Sequence, residues 1–143
     1  MKRPTVVLAE DHPNVAEQLR KLLAGAFDVV GVVSHGEALV KTVLRLKPDV
    51  VVTDISMPGM DGIKAAQEIV QHQPSAAIVF VTVHDDRALA RKALGVGLGY
   101  VLKTSAGEEL VDAVNAALDS RPFVSPSLGT IDGLIGGAAI PPA

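Results

Sequence analysis

The sequence predicts an α/β fold built on a doubly wound, five-stranded parallel sheet. Two observations carry that prediction. Short runs rich in β-branched residues alternate five times with segments of helical periodicity. The runs are also continuously apolar, as in Val50-Val51-Val52-Thr53, which marks strands covered by helices on both faces. Five units make an open sheet, since a closed barrel of this type needs about eight.

The elements follow in order. Thr5 to Ala9 reads as the first strand and ends on Glu10-Asp11. Val15, Leu19, Leu22 and Leu23 then recur at helical spacing, and Gly25 can close that helix. Val29 to Val33 is the second strand. Ser34-His35-Gly36-Glu37 fits a capping box opening a helix through Leu39, Val43, Leu44 and Leu46, which stops before Pro48. Val50 to Thr53 is the third strand and ends on Asp54. The loop Ile55 to Gly62, with Pro58 and two glycines, suits neither strand nor helix. Ile63, Ala66, Ile69 and Val70 make the third helix, Ile78 to Val81 the fourth strand, and Leu89, Ala93 and Leu94 the fourth helix. Tyr100 to Leu102 is a short fifth strand. Ser105-Ala106-Gly107-Glu108 is a second candidate capping box, before a helix through Leu110, Val111, Val114, Ala117 and Leu118.

Composition narrows the function. The 143 residues are 48% hydrophobic and 20% charged, enough for one domain with a proper core. There is no cysteine, so disulfides, thiol catalysis and thiolate metal sites are excluded, which fits a reducing, cytoplasmic setting. No apolar run reaches the roughly 18 residues of a membrane helix, and Val6 to Ala9 is too short for a secretion signal. Net charge is −3 with scattered Lys and Arg, so no basic cluster announces nucleic-acid contact by this chain. Residues 1–120 are expected to form the domain. Residues 121–143, rich in Pro and Gly, read as a tail or truncated linker.

In a doubly wound sheet, ligands bind at the carboxyl ends of the strands. Strand one ends in Glu10 and Asp11, strand three in Asp54, strand four in Thr82 and strand five in Lys103. Crowded carboxylates repel and call for a hard divalent cation, with oxygen ligands favouring Mg²⁺. Lys103 supplies a mobile positive charge for a phosphate oxygen and Thr82 a hydroxyl for another. Asp54 is then the nucleophile that forms an aspartyl phosphate. Each of these residues also has a plainer role open to it: acids favour helix N-termini, and Thr is ordinary in strands. Their convergence on one sheet edge is what favours the functional reading.

The stretches "LAEDH", "VVVTDISMPGMDG", "VFVT" and "GYVLKTSAGEEL", in this order between Thr5 and Leu118, resemble the receiver domain of two-component response regulators. The last is most similar to receivers joined to a LuxR-type helix-turn-helix. The resemblance implies a flavodoxin-like sheet of order 2-1-3-4-5 and Asp54 as phosphoacceptor. It implies Asp11 as a direct Mg²⁺ ligand, Glu10 as a second acid at the metal and the main-chain carbonyl of Ser56 as a further ligand. Thr82 would be the switch hydroxyl, Tyr100 the switch aromatic and Lys103 the phosphate-binding lysine. The donor would be a sensor histidine kinase or phosphotransfer protein. On phosphorylation Thr82 would be drawn toward Asp54 and Tyr100 would turn inward. The surface of Arg87 to Leu94 and strand five would then change for a partner protein or a second copy in a homodimer, helped by a mobile glycine-rich stretch before Tyr100.

Two departures stand out: Glu10 where the family commonly has Asp, and Thr104 after the lysine where it commonly has a cis proline. No helix-turn-helix fits in Ser120 to Ala143, so the chain reads as a stand-alone receiver or as the receiver fragment of a DNA-binding regulator. Two rivals are weaker. A haloacid-dehalogenase-like phosphatase needs a second acid two residues after its nucleophile, and Ser56 stands there. A flavodoxin needs a Ser/Thr-rich phosphate loop after strand one, where this chain has Glu10-Asp11. Gly95-Val96-Gly97-Leu98-Gly99 follows a helix and so is not a dinucleotide fingerprint. The four histidines read as surface groups, with His12 and His84 near the site edge.

Overall fold

A computed structural model describes residues 2–129 of the chain. The elements run β1 (Thr5–Ala9), α1 (Pro13–Ala24), β2 (Asp28–Val33), α2 (Gly36–Leu46), β3 (Val50–Thr53), α3 (Gly62–His72), β4 (Ala77–Thr82), α4 (Arg87–Leu94), β5 (Gly99–Leu102), α5 (Ala106–Leu118) and β6 (Phe123–Val124). The sheet order is β2-β1-β3-β4-β5-β6, and every pairing is parallel. The strand order expected for five strands is present. The sixth strand is an addition: two residues from the stretch that the sequence pattern assigned to a tail pair with β5.

The period of two along each strand builds two cores. Val6 and Leu8, Val50 and Val52, and Val79 and Val81 face α1 and α5, where Leu19, Leu23, Leu110, Ala113 and Val114 meet them. Val7, Val51, Ile78 and Phe80 face the other way, onto α2, α3 and α4 through Leu39, Val43, Ile63, Ile69 and Ala93. Burial on both faces is why these strands read as unbroken apolar runs. Tyr100 shares the second core with Val124 and Leu128 from the C-terminal stretch.

Helix starts differ in detail from the sequence pattern. Residue His35, not Ser34, caps α2, with its ring Nδ1 accepting from the Ala38 N–H at 3.3 Å. The first helical residue is Gly36, so Ser34 lies one position too early to cap. The second expected capping box is not formed either. A 3₁₀ turn over Lys103–Ser105 runs straight into α5, and Ser105 adopts neither extended backbone nor a side-chain cap bond. Asp61 and Asp86 cap α3 and α4 through the Lys64 and Ala88 N–H groups. At α1 the N-cap is His12, without a side-chain bond, and Pro13 opens the helix. Glu10 and Asp11 therefore do not cap this helix.

Two glycines fix close approaches. A Cβ at Gly97 would sit 2.7 Å from Phe80 Cε2 and 2.9 Å from the Ile78 carbonyl oxygen. The stretch before Tyr100 is thus packed against β4 and does not match the mobile hinge expected from its glycines. A Cβ at Gly62 would fall 1.9 Å from the Asp54 carbonyl oxygen. The Gly62 N–H also closes the loop by donating to the Ile55 carbonyl at 2.8 Å.

Gly62→Ala should therefore push the Asp54 backbone out of place. Overpacking of this kind costs about 1–3 kcal/mol. The expected outcome is a melting temperature lowered by several degrees in a thermal scan followed by circular dichroism. An unchanged melt would show that the loop yields freely.

Candidate functional site

The sheet register gathers the site. Ala9 pairs with Thr53, Thr53 with Phe80, and Thr82 with Leu102. The residues that follow β1, β3 and β5 are Glu10, Asp54 and Lys103, and they meet at the carboxyl edge. Asp54 is held from both sides. Its N–H donates to the Ala9 carbonyl at 3.0 Å, and its Oδ1 accepts from the Ile55 N–H at 2.6 Å. Its Oδ2 lies 2.7 Å from Lys103 Nζ, and only 3% of the residue is exposed. Lys103 Nζ is also 2.6 Å from Glu10 Oε1. One ammonium thus serves two buried carboxylates.

The electrostatics follow from that sharing. Burial raises the Asp54 pKa, and the nearby Glu10 charge adds to the rise; Lys103 and the Ile55 N–H offset only part of it. Burial pushes Glu10 up as well, but bonds from Lys103 and His12 outweigh it, and its pKa ends below the ordinary value. Burial opposes the Lys103 charge, yet hydrogen bonds and attraction from Asp54 and Glu10 hold its pKa above normal. Lys103 therefore stays cationic through the neutral range.

Asp11 is differently placed. Its Oδ1 is closed to solvent and makes no hydrogen bond. The Nδ1 of His12 lies 3.2 Å from it, and 3.0 Å from Glu10 Oε2. Ligand atoms of Glu10, Asp11 and His12 all fall within 4.8 Å of one another. His12 is a surface residue, as its sequence context suggested, but its ring leans on both acids. The hydrogen bond to Glu10, with the Asp11 charge behind it, raises its pKa.

A second missed histidine links the remaining site residues. The His84 N–H donates to Thr82 Oγ1 at 3.2 Å, and its carbonyl accepts from the Tyr100 hydroxyl at 2.7 Å. Its ring Nε2 lies 2.8 Å from Ser56 Oγ. Neither His12 nor His84 carries a sequence signal beyond standing one or two residues past a site residue. Tyr100 itself is fully buried. The inward position that the sequence reading reserved for the phosphorylated state is already taken in this conformation, because the His84 carbonyl gives the phenol a partner there. The Lys103–Thr104 peptide is trans.

Residues 6–115 match the response regulator receiver domain family. The chain belongs to that family. Receiver domains take part in two-component signalling, and accepting a phosphoryl group is their general function. Among curated relatives, the receiver is similar to the probable transcriptional regulatory protein NarL of Mycobacterium tuberculosis, 34% identical over 134 residues, covering 92% of this chain and 61% of that protein. It is 32% identical to the response regulator GacA of Pseudomonas aeruginosa, covering 86% of this chain and 59% of that one. The chain thus spans about three-fifths of the length of these relatives. Among solved structures it resembles a LuxR-family two-component response regulator from an Aurantimonas species, with TM-score 0.86, 32% identity and 96% and 98% of the two chains covered. It also resembles the isolated receiver domain of RcsB from Salmonella enterica, determined with the phosphomimetic BeF3−, with TM-score 0.81, 31% identity and 94% and 99% covered. No helix among the described residues is long and apolar enough to cross a membrane.

Tyr100 offers a direct check on the site. Burial, then the charges of Asp86, Asp85 and Asp54, push its phenol up to about 12. It is the only tyrosine, and there is no tryptophan. An ultraviolet titration should therefore show one phenol transition, near pH 12 and not near the ordinary 10. Because the folded pKa is raised, the linked stability is intact below pH 10 and is lost between 10 and 12. That loss amounts to roughly 3 kcal/mol. A transition at 10 with the fold intact would mean that the phenol is not buried against His84.

Proposed function

We propose that Asp54 is the phosphoacceptor of this receiver and that Lys103 is its phosphate-binding cation. The observation that carries the reading is the Lys103 ammonium, 2.7 Å from the buried Asp54 Oδ2 at the centre of the sheet edge. An Asp54 carboxylate oxygen attacks the phosphorus of a phosphohistidine on a sensor kinase or phosphotransfer protein. The P–O bond forms as the P–N bond breaks, and the electron pair leaves with the imidazole nitrogen. Lys103 is already fixed at the acceptor, so it can pair with a phosphoryl oxygen with little further ordering. Thr82 Oγ1 accepts from His84, which leaves its own proton to give to another phosphoryl oxygen.

The donor set fits Mg²⁺. The Asp11 oxygen buried without a hydrogen bond is a ligand atom in waiting, and the nearby donors are mostly hard oxygens. We assign the ion to Asp11, Asp54 and the main-chain carbonyl of Ser56, with Glu10 as the adjoining acid. When bound, the ion supplies positive charge against the carboxylates and the incoming phosphoryl group. The chain works in the cytoplasm as a phosphorylated switch and not as a turnover enzyme, because Ser56 offers no acid–base carboxylate two residues after Asp54. Its output goes through Tyr100, α4 and β5 to a partner protein or a second copy, with no nucleic-acid contact of its own.

Incubation with Mg²⁺ and a small phosphodonor should add one phosphate by intact mass, and Asp54→Asn should add none. A phosphate on the Asn variant would move the acceptor elsewhere. Asp11→Asn should weaken Mg²⁺ binding by about tenfold or more, measured by titration. Equal affinity in that variant would remove Asp11 from the metal site.

A further inference from the structure

Ser125 lies outside the span matched to the receiver family, which ends at residue 115, yet it is a fully buried polar side chain. Its hydroxyl is used twice. It accepts from the Leu102 N–H at 2.9 Å and donates to Glu109 Oε1 on α5. A serine hydroxyl has one proton to give and lone pairs to receive, so both bonds are compatible. The Ser125 N–H in turn donates to the Tyr100 carbonyl at 2.9 Å, and the Phe123 N–H to the Leu98 carbonyl at 2.9 Å. Residues 123–125 thereby zip onto the free edge of β5.

Leu102 is the residue immediately before Lys103. After it the chain leaves the sheet and turns into the 3₁₀ segment Lys103–Ser105. The Leu102 N–H is the last backbone donor of β5, and Ser125 is what satisfies it. Val124 and Leu128 press the same stretch into the core beside Tyr100, and Arg87 of α4 donates to the Leu128 carbonyl. The anchor is therefore held at three points: strand, core and helix.

We propose that Ser125, backed by Glu109, is a positioning residue for Lys103, so that the segment after α5 is a working part of the phosphoryl-transfer site. This rests on Lys103 being the phosphate-binding cation. Without the hydroxyl, the Leu102 N–H is left buried and unpaired. The strand end loosens, and the ammonium loses its fixed distance to Asp54. The assigned metal ligands Asp11 and Asp54 follow β1 and β3, so a looser β5 end leaves them in place, and a retreating ammonium should not weaken Mg²⁺ binding.

The test uses the full chain in four forms: wild type, Ser125→Ala, Glu109→Ala and Glu109→Gln. Phosphorylation by a small phosphodonor is followed by intact mass, Mg²⁺ affinity by titration, and the fold by circular dichroism. The expected result is a phosphorylation rate lowered at least tenfold in Ser125→Ala, toward the ~10²-fold that a misplacement of about 1 Å costs, with Mg²⁺ affinity not lowered. Glu109→Ala should be slowed as well, and Glu109→Gln, which keeps an acceptor oxygen for the serine, should recover most of that loss. A Ser125→Ala chain that reacts at the wild-type rate overturns the proposal. So does a variant whose Mg²⁺ affinity falls in step with its rate, since that marks general loosening. If Ser125→Ala does not fold, the Glu109 pair decides: equal rates in Ala and Gln overturn it. A wild type that takes no phosphate overturns the phosphoacceptor reading and this one together, whereas a reactive wild type with an equally reactive Ser125→Ala overturns this one alone.

Discussion

One ammonium between two buried carboxylates is the contact around which this receiver is organised. Lys103 reaches Asp54 and Glu10 at nearly the same distance. A buried carboxylate without a partner would lose its charge before it lost its position. The pair of acids needs the lysine to remain ionised, and the lysine needs the pair to remain at the sheet edge. The sharing is unequal. Glu10 has His12 as a second partner and is held below its ordinary pKa, while Asp54 depends more on Lys103 and is pushed above its own by burial. Asp11 adds a third carboxylate, so three carboxylates face one ammonium, an excess of two negative charges. That excess makes the edge receptive to a divalent cation.

Everything beneath this contact is parallel-sheet geometry. Six strands pointing the same way deliver all their carboxyl ends to one side. The register sets Glu10 and Asp54 level with each other, and lets β4 run one residue past them, to Thr82. Gly62 lets α3 press its first turn on the Asp54 carbonyl, and so fixes the acid from below. Two further side chains hang from the same edge. Thr82 and Tyr100 both bond to the backbone of His84, so a movement of one is felt by the other through a single peptide segment.

Much of this was legible in the chain itself. Continuous runs such as Val50-Val51-Val52-Thr53 declared a sheet buried on both sides, and polar residues at four strand ends marked the edge where the acids and the lysine meet. What stayed hidden did so for identifiable reasons. Phe123-Val124 is too short a run to show any period, and it stands among prolines. Ser34 has the right residue type for a cap, but the cap is set by backbone angles that His35 adopts. The glycines before Tyr100 looked like slack because a sequence does not show Phe80 packed against them. The inward Tyr100 depends on a carbonyl sixteen residues away, which no local pattern encodes. Residues 130–143, which complete the expected tail, lie outside the described residues.

The sixth strand bears on how this fold can be joined to other modules. A seam cut directly after α5 would strip the edge of β5 and leave its backbone donors and acceptors bare, an open template for pairing with foreign strands. It would also remove Val124 and Leu128 from the core. A chimera spliced after Gly129 would keep that edge covered. Swapping sensors or effectors onto this scaffold therefore depends on a few residues that look, in one dimension, like packing material between parts.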